Sequence, residues 1–318
     1  MTMKRGWAAL AGVLAMAFAA ATASAADPVG VLTEIRAEKG RVEVKKAGEA
    51  DWKAAQPLLA LRPGDQIRVS GEARAALVFT GGRGAQAVST ANSPFTVQVP
   101  PAAGAGDKAK ALAGSVTDFL AGKQKDLAYL PLSVRAVRPP RVVQLEPRET
   151  KLLPGPVTFE WSGSETLRYK VRVSGPQGTL WEQANLPRKP VPYPASSPAL
   201  EPGVRYSWQL ETEGQPMQQV EFQILAPPEA KRVRESLDIL VPDALPGYSP
   251  SSVALMRAGY VLRDGLYAEA RHELMTALVK DPDEPTLHML LGQVYEQVGL
   301  GELAQREFIE ARDLSGRR

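Results

Sequence analysis

Hydrophobic residues in this chain recur at every second position in two stretches and at every third or fourth position in a third. In residues 28–100, Val42 and Val44 flank Glu43, Ile67 and Val69 flank Arg68, and Phe95, Val97 and Val99 alternate with Thr96 and Gln98. That period predicts strands, separated by turns at Pro63-Gly64-Asp65, Gly71, Gly81-Gly82 and Ser93-Pro94. Over residues 107–121, Leu112, Val116, Phe119 and Leu120 fall at helical spacing, which predicts a short amphipathic helix packing back on the sheet. Alternation returns in residues 139–226, with inward sets at Val157, Phe159 and Trp161, at Tyr169, Val171 and Val173, at Tyr206, Trp208 and Leu210, and at Val220, Phe222 and Ile224. Residues 187–202 are too rich in proline for a central strand. Beyond Pro227-Pro228 the period lengthens, and Val233, Leu237 and Leu240 form one helical stripe before Pro242, Pro246 and Pro250 interrupt the chain.

From Ser251 a pattern of 34 residues is written twice. Offset by that period, Gly265 aligns with Gly299, Leu266 with Leu300, Ala270 with Ala304, Leu274 with Phe308 and Ala277 with Ala311. A fixed period of this length predicts stacked helical hairpins, each turning at its glycine.

The N-terminus bears on compartment. Lys4 and Arg5 precede an apolar run at 7–21, and Ala23-Ser24-Ala25 has the small-x-small form of a cleavage site, so a signal peptide cut after Ala25 is expected. No cysteine stands near that point to carry a lipid. The 318 residues hold 38 Lys and Arg against 35 Asp and Glu; two of the bases lie in the leader, so the mature chain would carry 36 against 35. A nearly neutral chain lacks the electrostatic footprint of a nucleic-acid binder. With no cysteine at all, an exported protein must hold itself together by core burial without disulfides.

Residues 28–100 resemble the FecR domain. The resemblance rests on Gly40-Arg41-Val42-Glu43-Val44 with Trp52 following, on Leu61-Arg62-Pro63-Gly64-Asp65-Gln66-Ile67 as the family's L-x-x-G-D-x-I turn and strand, and on Ala73-Arg74-Ala75-Ala76-Leu77-Val78-Phe79 as its ARA-x-L-x-F strand. Where the family continues with Asp-Gly-Ser, this chain has Gly81-Gly82-Arg83-Gly84. The resemblance implies an extracytoplasmic β domain. It does not carry over sigma-factor control, because the family regulator's cytoplasmic and membrane-spanning segments have no counterpart in the sequence. Gly64-Asp65 reads as a tight turn before a strand. The strands of 139–226 suggest a sandwich of fibronectin or immunoglobulin type.

The two 34-residue copies resemble tetratricopeptide repeats. In the second, Leu291-Gly292, Tyr295, Ala304, Phe308 and Ala311 stand at the signature positions; the first has Arg257-Ala258 and Val261 in place of the Leu-Gly and the tyrosine. The resemblance implies partner-facing positions on the first helix of each copy, at Leu255, Leu262 and Arg263 and at Met289, Gln293 and Glu296. Two copies fall short of the three such arrays need to bury a continuous core. A cover for the open flank is therefore expected, from the 231–240 helix, a partner protein or a second copy of the chain.

Candidate chemistry is sparse. His272 and His288 both fall inside repeat helices, and no H-E-x-x-H pattern or cysteine nucleophile is present. Gly81-Gly82-Arg83-Gly84 lacks the Lys-Ser/Thr ending of a phosphate loop. Trp161 and Trp208 sit mid-strand among apolar neighbours as core residues, whereas Trp181 follows a turn and is the most exposed expectation of the three. The arginines at 135, 138 and 141 accompany prolines in a joint.

The expected architecture is therefore a signal peptide (1–25), a FecR-like β domain (28–100), a helix and linker (101–138), a fibronectin- or immunoglobulin-like sandwich (139–226), a helix and proline-rich linker (227–250) and two tetratricopeptide repeats (251–318). No enzyme activity, cofactor or metal is expected, and no membrane span after leader cleavage. The expected role is a periplasmic or secreted scaffold that binds envelope proteins. The alternatives are a sensor or regulator of a membrane or transport system, and a cell-wall or carbohydrate binder.

Overall fold

The computed structural model describes residues 26–37, 39–101, 107–127 and 142–316. The expected leader and the arginines at 135, 138 and 141 lie outside the described residues. A β-sheet region precedes a C-terminal helical region, and one long helix stands between the two β portions. No helix among the described residues is long and apolar enough to cross a membrane.

The first β portion contains β1 (Gly30–Arg36), β2 (Gly40–Lys45), β3 (Lys53–Ala54), β4 (Ala60–Leu61), β5 (Gln66–Gly71), β6 (Arg74–Phe79), β7 (Ala85–Val88) and β8 (Phe95–Thr96). They form two antiparallel sheets, ordered β4-β1-β6-β7 and β3-β2-β5-β8. Inward Val42, Val44, Ile67 and Val69 meet Leu32, Ile35, Ala75, Leu77 and Phe79 from the other sheet. In contrast to the half-buried β2 and β5, β1 and β6 are buried on both faces. Their outward Val31 and Val78 belong to the core of the helical region. Asp65 closes the turn ahead of β5: it is 1% exposed and accepts from Ala47 N (2.9 Å), Arg62 N (2.9 Å) and Lys46 Nζ (3.0 Å).

The second β portion has a sheet ordered β10-β16-β15-β12-β13 facing one ordered β14-β11-β9. Its strands are β9 (Val143–Glu146), β10 (Thr150–Leu152), β11 (Thr158–Ser162), β12 (Tyr169–Gly175), β13 (Gly178–Leu186), β14 (Val191–Pro192), β15 (Arg205–Thr212) and β16 (Gln218–Ile224). Trp208, Tyr169, Phe159 and Phe222 fill the space between the sheets, and Trp208 Nε1 donates to Pro147 O at 2.6 Å. Trp161 is buried, whereas Trp181 is half-buried and stacks on Phe159 at 5.9 Å. The proline-dense stretch contributes only the two-residue strand β14, paired with β11.

The helical region comprises α2 (Pro227–Ile239), α3 (Pro250–Arg263), α4 (Tyr267–Lys280), α5 (Pro285–Gln297) and α6 (Gly301–Gly316). Pro250, expected to break the chain, instead occupies the first turn of α3, where its missing N–H leaves no bond unmade. Helices α3 and α4 form one hairpin, α5 and α6 the next. Gly265 (φ +82°) and Gly299 (φ +73°) take the left-handed conformation, and the following Leu266 N and Leu300 N reach back to Val261 O (2.9 Å) and Tyr295 O (2.8 Å). At Gly292 any Cβ would run into the Phe308 ring, so the second hairpin requires the missing side chain.

The covering elements come from within the chain. Ala230 and Val233 of α2, with Leu240 just past its end, join the core that holds the first hairpin. Arg257 explains why the first copy departs from Leu-Gly: its Nη1 donates to Leu237 O (2.7 Å) and Leu240 O (3.2 Å) at the end of α2, and its Nη2 pairs with Glu273 at 2.7 Å. The β9–β10 corner meets both hairpin turns, with Arg148 Nε donating to Val298 O (2.6 Å) and Lys151 N to Gly265 O (3.0 Å). Beside it, Arg271 lies 3.1 Å from Glu146 and 3.0 Å from Glu160.

Helix α1 (Lys108–Leu127) is longer than expected and packs on more than the sheet. One face meets the glycine turn after β6, where a Cβ at Gly82 would stand 2.7 Å from Lys110 O. Another face lies along α3.

Candidate functional site

Gly259, on α3, lets α1 approach closely: a Cβ there would lie 2.7 Å from Val116 Cγ1 and 3.6 Å from Leu120 Cδ1. Thr117 Oγ1 lies 3.7 Å from Met256 Sδ, and Arg263 Nη1 donates to Ser115 Oγ at 3.2 Å. The inner face of the first hairpin is thus occupied by the chain's own helix. This corrects one expected partner-facing position, because Leu255 (0% exposed) is sequestered in the shared core, whereas Leu262 (5% exposed) is largely buried but borders the groove beyond α1.

One repeat further along, the described residues leave the same face open. Gly259 corresponds to Gln293, 34 residues on, and there the end of α1 leaves a groove of about 140 Å³. It is lined by Phe119 and Lys123 of α1, Leu262 and Arg263 of α3, Tyr267 of α4, and Gln293, Glu296 and Gln297 of α5. Four of the six sequence-derived positions converge here: Leu262, Arg263, Gln293 and Glu296. Leu255 does not reach the groove, and Met289 is half-buried against the helical core. Phe119, Lys123, Tyr267 and Gln297 had not been singled out as site residues. Phe119 carried a helical-stripe signal, but nothing in the sequence set that stripe beside α3.

The groove combines apolar walls with a few polar groups. Lys123 Nζ sits 6.0 Å above the Phe119 ring, while the Arg263 guanidinium lies 5.0 Å from the Tyr260 ring and 3.3 Å from Asp264 Oδ1. Glu296 and Gln297 are exposed at the rim. Gln293 is 6% exposed, and its Nε2 has no hydrogen-bond partner among the described residues. An amide donor buried in this way costs about 1–3 kcal/mol until an acceptor meets it.

Other titratable clusters serve as seams. His288, on α5, places Nδ1 2.7 Å from Glu307 Oε2 on α6 and Nε2 2.9 Å from Pro282 O, so both ring nitrogens join structural elements. Burial would lower its pKa, but the Glu307 and Pro282 bonds raise it above the ordinary value. Burial raises the Glu146 carboxyl, outweighing neighbouring Arg271. Arg271 is held above its ordinary range despite burial, chiefly by Glu146. Among the described residues, no group of three or more His, Asp or Glu side chains is placed to hold a metal ion.

No family model matches the chain, and a search of curated proteins finds no match.

Proposed function

We propose that this chain is an exported, non-catalytic scaffold that docks an envelope protein on the inner face of its second helical hairpin. In this reading the first β portion is a FecR-like domain, the second a fibronectin- or immunoglobulin-type sandwich, and the hairpins are tetratricopeptide repeats. The observation that carries it is the groove beside Gln293, with a buried amide donor that finds no acceptor among the described residues. The neighbouring repeat supports the choice of face, since the equivalent surface there already holds a packed segment, α1. The groove has room for one or two side chains, and a partner's backbone or side-chain oxygen would satisfy Gln293 Nε2. Mobility between the β portions and the hairpins is not required, so the hairpins serve as a hub rather than a free tail.

Removal of residues after Pro250 is a poor test, because Val31, Val78 and Val116 share their core with α3 and α5. A photo-reactive side chain at Glu296 is cleaner, with Met275 on α4, 41% exposed, as the control position. A discrete envelope adduct at position 296 that is absent at 275 and lost on Gln293→Met supports the reading. Equal adducts at both positions, or adducts insensitive to Gln293→Met, would sink it. Export is checked separately: the mature protein in a periplasmic fraction should begin at Ala26.

A further inference from the structure

The connection between α4 and α5 inserts a carboxyl under the first β portion. Glu284 is fully buried, and its Oε1 accepts from Ile35 N on β1 (3.1 Å) and from Thr286 N (3.2 Å), with the Thr286 hydroxyl 2.7 Å away. That hydroxyl also lies 2.8 Å from Thr33 O, and Thr33 Oγ1 is 2.8 Å from Ser252 Oγ at the start of α3. Strand β1 and the beginnings of α3 and α5 therefore meet in one buried polar seam. Within it Glu284 Oε2 has no hydrogen-bond partner among the described residues.

The charged groups around the seam are already engaged. Arg36 on β1 pairs with Glu34 (3.0 Å) and with Asp281 of the α4–α5 connection. Arg74 on β6 lies 3.5 Å from Glu34, and Asp281 accepts from Ser251 Oγ at 2.7 Å. Asp283 is exposed on the same connection, and His288 on α5 is held by Glu307 and Pro282. Among the described residues, no ion pair joins Glu284 to either arginine. Ionising Glu284 would thus leave buried charge on an oxygen without a donor, and the cation that feels it, Arg36, is already shared between Glu34 and Asp281.

We propose that Glu284 is a pH-operated latch, holding the helical hairpins on the first β portion while neutral and loosening that seam when it ionises. Burial pushes this carboxyl up to about 8; the Thr286 and Ile35 donors pull the other way, and Glu34 adds to the rise. Freed from the seam, the group would titrate at its ordinary 4.5. Below that pH both states hold the proton and docking is at full strength. Between the two values only the docked state holds it, so docking weakens as pH rises, and above about 8 the loss levels off.

The chain has no native cysteine, so two introduced ones can carry spin labels cleanly. Ala50→Cys in the first β portion and Gln305→Cys on α6, both exposed, place one label on each side of the seam. The full chain should give a single distance at pH 5.5 and, at pH 8.5, a longer population larger by about tenfold or more, as a docked-state shift of about two pKa units or greater requires between these two pH values. Glu284→Gln, of equal size and uncharged, should keep the single distance at both pH values, which also separates the effect from His288. An unchanged distance in the parent chain, or the same change in Glu284→Gln, overturns the latch. Carbon-13 titration of the Glu284 carboxyl gives a second reading: a midpoint well above the ordinary carboxylate range supports the proposal, and one within that range overturns it.

Discussion

Gly259 of α3 rests against Val116 of α1, so closely that a single added carbon would stand 2.7 Å from the valine methyl. The contact seats one repeat face on a helix more than a hundred residues earlier in the chain. Gly259→Leu is expected to destabilise the protein by about 2–3 kcal/mol through overpacking, read as a lower urea midpoint. Gly259→Ala should lose less, because the better helix propensity of alanine, about 1 kcal/mol, offsets part of the clash.

Gln293 makes the opposite prediction for stability. Replacing its unsatisfied amide with methionine should raise stability by about 1 kcal/mol, since a buried donor without an acceptor is removed. The same change should abolish the groove adduct at position 296. Gain in thermal midpoint together with loss of capture marks a binding residue; loss of both would mark a packing residue and count against the groove.

Asp65 tests the turn before β5. Its three donors, Ala47 N, Arg62 N and Lys46 Nζ, would all lose their acceptor in Asp65→Ala. A loss of about 3 kcal/mol is expected by denaturant titration, with Asp65→Asn intermediate because one acceptor oxygen survives.

Arg271 carries a pH signature. Arg271→Met leaves Glu146 and Glu160 facing each other, and the Glu146 carboxyl, already raised by burial, rises further. A carboxyl raised in the folded state loses stability as pH climbs above its unfolded value near 4.5. The expected loss is therefore small at pH 4 and about 2 kcal/mol at pH 8, both measured by urea denaturation.

Strand alternation and helical stripes made the β-then-α layout legible, because Val42, Val44, Ile67 and Val69 each bury one face and leave the other wet. Strand β1 is not legible in the same way: buried on both faces, Gly30–Arg36 carries no period of two. The repeat glycines were readable from their spacing. What covers the first repeat was not, since the approach of Val116 to Gly259 joins segments whose sequences give no sign of each other. Leu255 is accordingly expected to face a partner, and it lies in the shared core instead. Arg257 looked like decay of a pattern until its bonds to Leu237 O and Leu240 O gave it a task.

Arg148 and Lys151, three residues apart, grip the turns of successive hairpins at Val298 and Gly265. The β9–β10 corner therefore works as a splint. Stacked hairpins can ordinarily twist against one another and so alter the curvature of the surface they share, but this pair is tied at both turns to one corner. If the gap beside Gln293 takes a partner, as proposed, that partner is spared part of the entropy of shaping it.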